Sequence, residues 1–249
     1  MTPRSGALVT GASRRIGRVL ALRAASLGYA VAIHHRTAEA DADAVKAEIE
    51  AAGGQAAVVA ADLADVGAAE PLVEAAGAAV GPLSLLVNNA SLFEDDRIET
   101  LSPASWDAHI ATNLRAPVLL AQAFAAQASD GALIVNLLDQ RVWNPSPQFF
   151  SYSVSKAALW HATRMLAQAL APRIRVNAIG PGPTLPSIHQ SEATFAAEAN
   201  RVPLKRRAMP EEIADALAYL IDAPSVTGQM IAVDAGQHLA WQTPDVSAP

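Results

Sequence analysis

Cysteine is absent from this 249-residue chain. That excludes a disulfide framework, a Cys-based metal site and a thiol nucleophile. Charge is sparse, at 17% of residues, and 18 Lys+Arg stand against 24 Asp+Glu for a formal net charge of −6. The basic stripe of a nucleic-acid binder is therefore missing. The short run Lys205-Arg206-Arg207 reads as a solvated loop rather than a phosphate clamp. No apolar run reaches the roughly 18 residues a membrane span needs, and the N-terminus has no apolar core of a signal peptide. The expectation is a soluble, cytoplasmic protein that binds neither nucleic acid nor membrane. Disorder is excluded by a hydrophobic content of 51%, and the length suits one α/β domain spanning residues 1–249.

What is present is an alternation. Short apolar runs occur at Ala7–Thr10, Ala30–His34, Ala56–Ala61, Leu83–Val87, Leu133–Leu138, Val176–Ile179 and Met230–Val233. Ala-rich stretches with helical spacing separate them. Strands alternating with helices predict βαβ units, and strands apolar at nearly every position predict a sheet covered on both faces. The expected fold is a doubly wound (Rossmann) seven-stranded parallel sheet, in which ligands bind at the carboxyl ends of the strands. Residues 183–205 read as a mobile substrate-loop region, with one or two helices in Ser187–Val202. The polar tail from Trp241 to Pro249 reads as frayed or packed on a neighbouring subunit.

Several clusters fall at predicted strand ends. Thr10-Gly11-Ala12-Ser13-Arg14-Arg15-Ile16-Gly17 follows the first strand and opens a helix. Glycines there let backbone approach a pyrophosphate, and the helix N-terminus supplies free N–H groups and a positive dipole end. Arg15 stands where a middle glycine is expected. At the end of the second strand, where an NAD enzyme carries an acid for the ribose 2′-hydroxyl, this chain has His35, Arg36 and Thr37. With Arg14 across the turn, these suit a 2′-phosphate and predict NADPH over NADH. His34 reads as a sheet residue rather than a ligand. Asp62 and Leu63 after the third strand, and Asn89, Ala90 and Ser91 after the fourth, lie at the same edge, as do Pro181, Gly182 and Thr184 in a Pro/Gly-rich loop.

Tyr152 and Lys156 sit four residues apart at the start of a predicted helix, on one helical face. A neighbouring cation favours phenolate, so the expectation is a phenol active nearer neutral pH than its usual pKa near 10. Asp139 closes the fifth strand, and its carboxyl group can bond the phenol or stay protonated and donate. Phe93 is either core packing or a face for a planar heterocycle. Asn113 is either a plain polar helix residue or a holder of water. No metal site is expected.

Together these residues closely resemble the short-chain dehydrogenase/reductase family, through TGASRRIG, ADL, NNA, Asn113, YSVSK, GPGP and VTGQ…VDAG in order along the chain. The resemblance implies that Tyr152 donates the proton, Lys156 binds ribose and tunes Tyr152, and Asn113 supports a proton-relay water. It also implies a homotetramer. Most members have Ser where Asp139 stands. Asp139, Arg15, His35-Arg36-Thr37 and Phe93 look like the pteridine reductase and dihydromonapterin reductase branch, which implies a pterin-like substrate stacked on Phe93, with Ser91 and Arg15 at its edge. The loop Gln140–Gln148 and the ending Gln237–Trp241 differ from the best-known members. Three activities follow as expectations: reduction of a dihydropterin or dihydrofolate with NADPH, reduction of a 3-oxoacyl, sugar or quinone carbonyl, and weakly catalytic NADP(H)-binding regulation.

Overall fold

Seven parallel strands run in the order β3-β2-β1-β4-β5-β6-β7. They are β1 (Gly6–Val9), β2 (Ala30–His35), β3 (Ala56–Ala60), β4 (Leu83–Asn88), β5 (Ala132–Leu137), β6 (Ile174–Pro181) and β7 (Met230–Val233). This is the expected doubly wound sheet. The computed structural model describes residues 5–186 and 190–241. The readings for residues 187–189 and for the tail beyond Trp241 lie outside the described residues. No helix of the described residues is long and apolar enough to cross a membrane, and no cluster of metal-ligating side chains occurs among them.

Strand periodicity divides the core. Ala7 and Val9 of β1 face one side, where they join Leu20 and Ala24 of α1 (Arg15–Ser26), Val45 and Ile49 of α2 (Glu39–Ala51) and Leu217 of α8 (Pro210–Asp222). Leu8 faces the other side with Leu72 of α3 (Ala69–Val80), Leu120 and Phe124 of α5 (Ala116–Gln127) and Ala167 of α6 (Phe150–Leu170). Both faces are fully buried at these positions, which is why the strands read as continuous apolar runs rather than alternating ones. Truncating Leu8 to Ala would cost about 2–5 kcal/mol.

Two departures from simple periodicity bear on function. Between α4 (Pro103–Ile110) and α5, residues Ala111–Arg115 form a π turn containing Asn113. Such turns are frequent at functional sites. Of the segment read as one or two helices, α7 (Glu192–Ala199) is helical and is capped by Ser191, whose Oγ accepts from Thr194 N at 3.2 Å. Arg206, read as part of a solvated loop, forms a two-pronged pair with Glu212 at the start of α8. Hydrogen bonds from Arg206 and from the Met209 N–H lower the Glu212 pKa to about 2.

Candidate active site

The turn from β1 into α1 is built for close backbone approach. Gly11 has φ +61°, and a Cβ there would lie 3.0 Å from the Ala90 Cα. A Cβ on Gly17 would come within 2.1 Å of the Gly11 carbonyl oxygen, so the helix packs onto the turn only because the side chain is absent. Arg15 occupies the left-handed region at φ +53°. It adopts the conformation that favours the glycine the motif lacks, at a cost of about 1–2 kcal/mol. Its guanidinium is anchored instead on the carbonyls of Pro186 at 2.9 Å and Leu185 at 3.2 Å, tying this turn to the Pro/Gly-rich loop.

Polar side chains hold the turn from behind. Asn89 Nδ2 donates to the Thr10 and Gly11 carbonyls at 2.8 and 3.0 Å, while Thr10 Oγ1 accepts from the Asn89 and Ala90 amides. His34 is the support that periodicity alone did not reveal. Its Nδ1 accepts from Gly11 N–H at 3.0 Å, and its Nε2 lies 3.1 Å from the Ala61 carbonyl. Accepting at Nδ1 requires the neutral ring with its proton on Nε2, which then donates to Ala61. Burial pushes the His34 pKa down to about 4, against smaller opposing effects, so this tautomer persists at neutral pH.

His34 lines the main cavity and His35 does not. The sequence reading gave His35 the cofactor role and His34 a place in the sheet; the His35 side chain is turned away from this cavity. The reason is strand geometry: successive side chains point to opposite faces. His35 is buried, and its Nδ1 has no hydrogen-bond partner. Arg36 and Thr37, just past the strand, are exposed and line the cavity. Arg14 lines it too, but pairs with Asp41 of α2. Both partners are largely solvent-exposed, and such pairs contribute about 0–1 kcal/mol, so Arg14 is readily exchanged to another anion.

At the other end of the cavity, Tyr152 Oη donates to Asp139 Oδ2 at 2.9 Å. Asp139 Oδ1 accepts from the Arg141 amide at 2.8 Å, and the Arg141 guanidinium is 3.5 Å from Oδ2. Lys156 Nζ donates to the Leu137 carbonyl at 2.8 Å and sits 5.7 Å from the Tyr152 ring centroid. The expectation of a phenol shifted toward neutrality is corrected here. Burial and then the Asp139 carboxylate push the Tyr152 pKa well above its ordinary value, and Arg141 opposes them only partly. Burial lowers Lys156 to about 8, with Asp139 opposing. In this arrangement the phenol keeps its proton, and the carboxylate is the acceptor beside it.

Phe93 lines the same cavity, and its ring is already part of an aromatic cluster. It stacks on Phe149 with centroids 4.3 Å apart and meets the edge of Tyr152 at 4.7 Å. The Arg141 guanidinium lies 5.8 Å from the Phe93 centroid and 5.4 Å from that of Phe149. Phe149, at φ +53°, was not singled out from sequence, nor was Arg141. Asn113 is fully buried and does not line the cavity. Its Oδ1 accepts from the Leu92 amide and Ser91 Oγ, and its Nδ2 donates to the Leu92 carbonyl and Ser155 Oγ. Its side chain is thus committed to protein partners.

Asp96 sets the start of α6, and hence Tyr152. Its Oδ1 accepts from the Ser151 amide at 2.9 Å, its Oδ2 from Ser105 Oγ at 3.0 Å, and its carbonyl from the Phe150 amide at 3.0 Å. It satisfies the first amides of the helix from 55 residues away, as a local cap would. Burial pushes its carboxyl up, but the bonds from Ser151 and Ser105 outweigh that and hold it below the usual carboxylate range.

One cavity of about 860 Å³ gathers most of the expected residues. It is lined by Gly11, Ile16, Asp62, Leu63, Ala90 and Ser91 at one end and by Asp139, Tyr152 and Lys156 at the other, with Pro181, Gly182 and Thr184 along its wall. Backbone amides at an N-terminal dipole end, a Gly turn that cannot accept a Cβ, exposed Arg36 and Thr37 without an adjacent acid, and a buried lysine at the far end fit an extended dinucleotide phosphate.

The profile of the family described as Enoyl-(Acyl carrier protein) reductase matches residues 11–238. The chain is 48% identical to the FolM alternative dihydrofolate reductase 1 of Brucella canis, solved in complex with NADP, over 99% of both chains with a TM-score of 0.95. It is 33% identical to a short chain dehydrogenase from Burkholderia cenocepacia, also solved with NADP, over 95% of this chain and 98% of that one, at TM-score 0.89. It is 33% identical to the 3-oxoacyl-[acyl-carrier-protein] reductase FabG of Staphylococcus aureus, over 94% of this chain and 98% of that protein.

Proposed function

This chain belongs to the short-chain dehydrogenase/reductase family, and from that premise we propose that it is an NADPH-dependent reductase of dihydropterins or dihydrofolate. The observation that carries the reading is the Asp139 carboxylate 2.9 Å from the Tyr152 hydroxyl. The 48% identity to a FolM dihydrofolate reductase supports it.

Bound NADPH supplies a hydride; all other chemistry is the chain's own. The glycine turn and the amides opening α1 take the pyrophosphate, Arg36, Thr37 and Arg14 take the 2′-phosphate, and Lys156 takes the nicotinamide ribose. The remaining cofactor contacts are assigned to Arg15, Ile16, Asp62, Leu63, Asn89, Ala90, Ser91, Pro181, Gly182 and Thr184. In a dihydropterin the imine carbon would be the hydride acceptor, and the ring nitrogen would then need a proton. Tyr152 would give that proton, and a solvent water would replace it, with the Asp139 carboxylate relaying the proton from water back to Tyr152. Asn113 backs Ser91 and Ser155 and so fixes the wall of this relay. Phe93 stacks on the pterin, with Ser91 and Arg15 at its edge.

A ketone fits less well. Its oxygen gains negative charge as hydride arrives, and a carboxylate beside it raises that energy. Identity to FabG favours the carbonyl reading, but the carboxylate disfavours it. Asp139→Ser discriminates: it should lower dihydropterin turnover by about 10²-fold and leave or raise ketone turnover. Unchanged pterin turnover would remove Asp139 from the mechanism. We also read the assembly as a homotetramer; exposed Met165 on α6 and Tyr219 on α8 offer apolar contact faces.

A further inference from the structure

A second cavity, of about 310 Å³, adjoins the first and shares Arg141, Glu198 and Gln237 with it. We propose that it is the subsite for an anionic substrate tail, an aromatic amide ending in carboxylates such as the p-aminobenzoylglutamate of dihydrofolate, with Arg201 as its cation. The proposal rests on the pterin reading and narrows it to conjugated substrates.

The charge pattern carries the argument. Arg201, exposed just past α7, lines this cavity, and its guanidinium makes no hydrogen bond or ion pair among the described residues. Arg141 lies at the junction, with its side chain 20% exposed and one edge toward Asp139. The cavity's acid, Glu198, is held on both oxygens by neutral amides: Gln190 donates to Oε2 at 2.7 Å and Gln237 to Oε1 at 3.3 Å. Arg141 is paired with Asp139 and Glu198 is already bonded by amides, so Arg201 is the cation of this cavity left to take an anion. Gln140 adds a second, independent signal. It is 4% exposed, lines the cavity, and its Oε1 has no hydrogen-bond partner. A buried acceptor left this way costs about 1–3 kcal/mol, and an amide N–H on the ligand would relieve it. On this proposal the pterin lies beside Tyr152 and its substituent passes Arg141, which lines both cavities, so a short neutral side chain gains nothing from Arg201.

The test compares dihydrofolate with dihydrobiopterin, which lacks the anionic tail, in wild type, Arg201→Gln and Arg201→Glu. Arg201 is exposed, so these variants should fold and bind NADPH normally. The KM for dihydrofolate should rise about 3–10-fold in Arg201→Gln, as expected for one lost charge-assisted contact at an exposed site, and further in Arg201→Glu. The dissociation constant of folic acid, read by tryptophan fluorescence, should rise in parallel, and the KM for dihydrobiopterin should not move. Unchanged dihydrofolate KM and folic acid affinity, or an equal rise for both substrates, would overturn the subsite while leaving the reductase reading intact. Failure of the wild type to reduce either pterin would overturn that reading and the subsite with it.

Discussion

Replacing His34 with Leu removes a ring that bridges the Gly11 amide and the Ala61 carbonyl. His34 is 2% exposed, so water cannot fully replace these bonds. Leaving two buried polar groups unpaired costs about 1–3 kcal/mol each, and we expect a loss of about 3 kcal/mol at pH 7. The pH dependence is the sharper test. The His34 pKa is about 4 in the fold against 6.5 for the ordinary side chain. Between these values the unfolded chain takes up the proton first, so falling pH favours unfolding. The stabilising contribution of neutral His34 is fully present above about 6.5 and is lost progressively toward 4. From pH 7 to pH 5 wild type should lose about 2 kcal/mol by this route, and the variant should not. Guanidinium denaturation of both proteins at the two pH values measures this. The gap between them should narrow from about 3 to about 1 kcal/mol. A gap that stays constant or widens would refute the assigned tautomer and the clamp.

Other expectations follow from the same geometry. Tyr152→Phe should cut turnover by about 10²-fold or more with NADPH affinity retained; near-normal turnover would move the proton source to Asp139 or water. Because burial lowers Lys156 to about 8, NADPH affinity measured by fluorescence titration should decline as pH rises through that value, and this pH dependence should vanish in Lys156→Met. Arg36→Asp should weaken NADPH binding by about 10–100-fold, with far less effect on NADH. Asp96→Ala should lower both the unfolding midpoint and kcat, because it uncaps the helix that carries Tyr152; the structural cost is about 1–2 kcal/mol.

The sheet was legible because its central strands are buried on both faces and therefore almost wholly apolar, and its neighbours carry helical spacing. The ends of the strands were legible for the same reason: polar residues such as Asn89 and Asp139 interrupt those runs abruptly. What stayed hidden depends on contacts between distant segments. Asp96 caps α6 from 55 residues upstream, a pairing no local pattern encodes. His34 and His35 are adjacent and chemically identical, and only the strand's orientation decides which one faces the Gly11 turn. Arg141 read as loop, yet it joins Asp139 to the Phe93–Phe149 stack. The sign of the Tyr152 shift was missed because a lysine at i+4 was weighed without the desolvation that burial imposes.

The most direct test of the central assignment is NADPH oxidation by the purified protein across dihydrobiopterin, dihydromonapterin, dihydrofolate, a 3-oxoacyl thioester and a simple ketone. The account predicts turnover of at least one of the three pterins with kcat/KM well above that for either carbonyl. Turnover of the thioester or ketone with all three pterins left unreduced would contradict it.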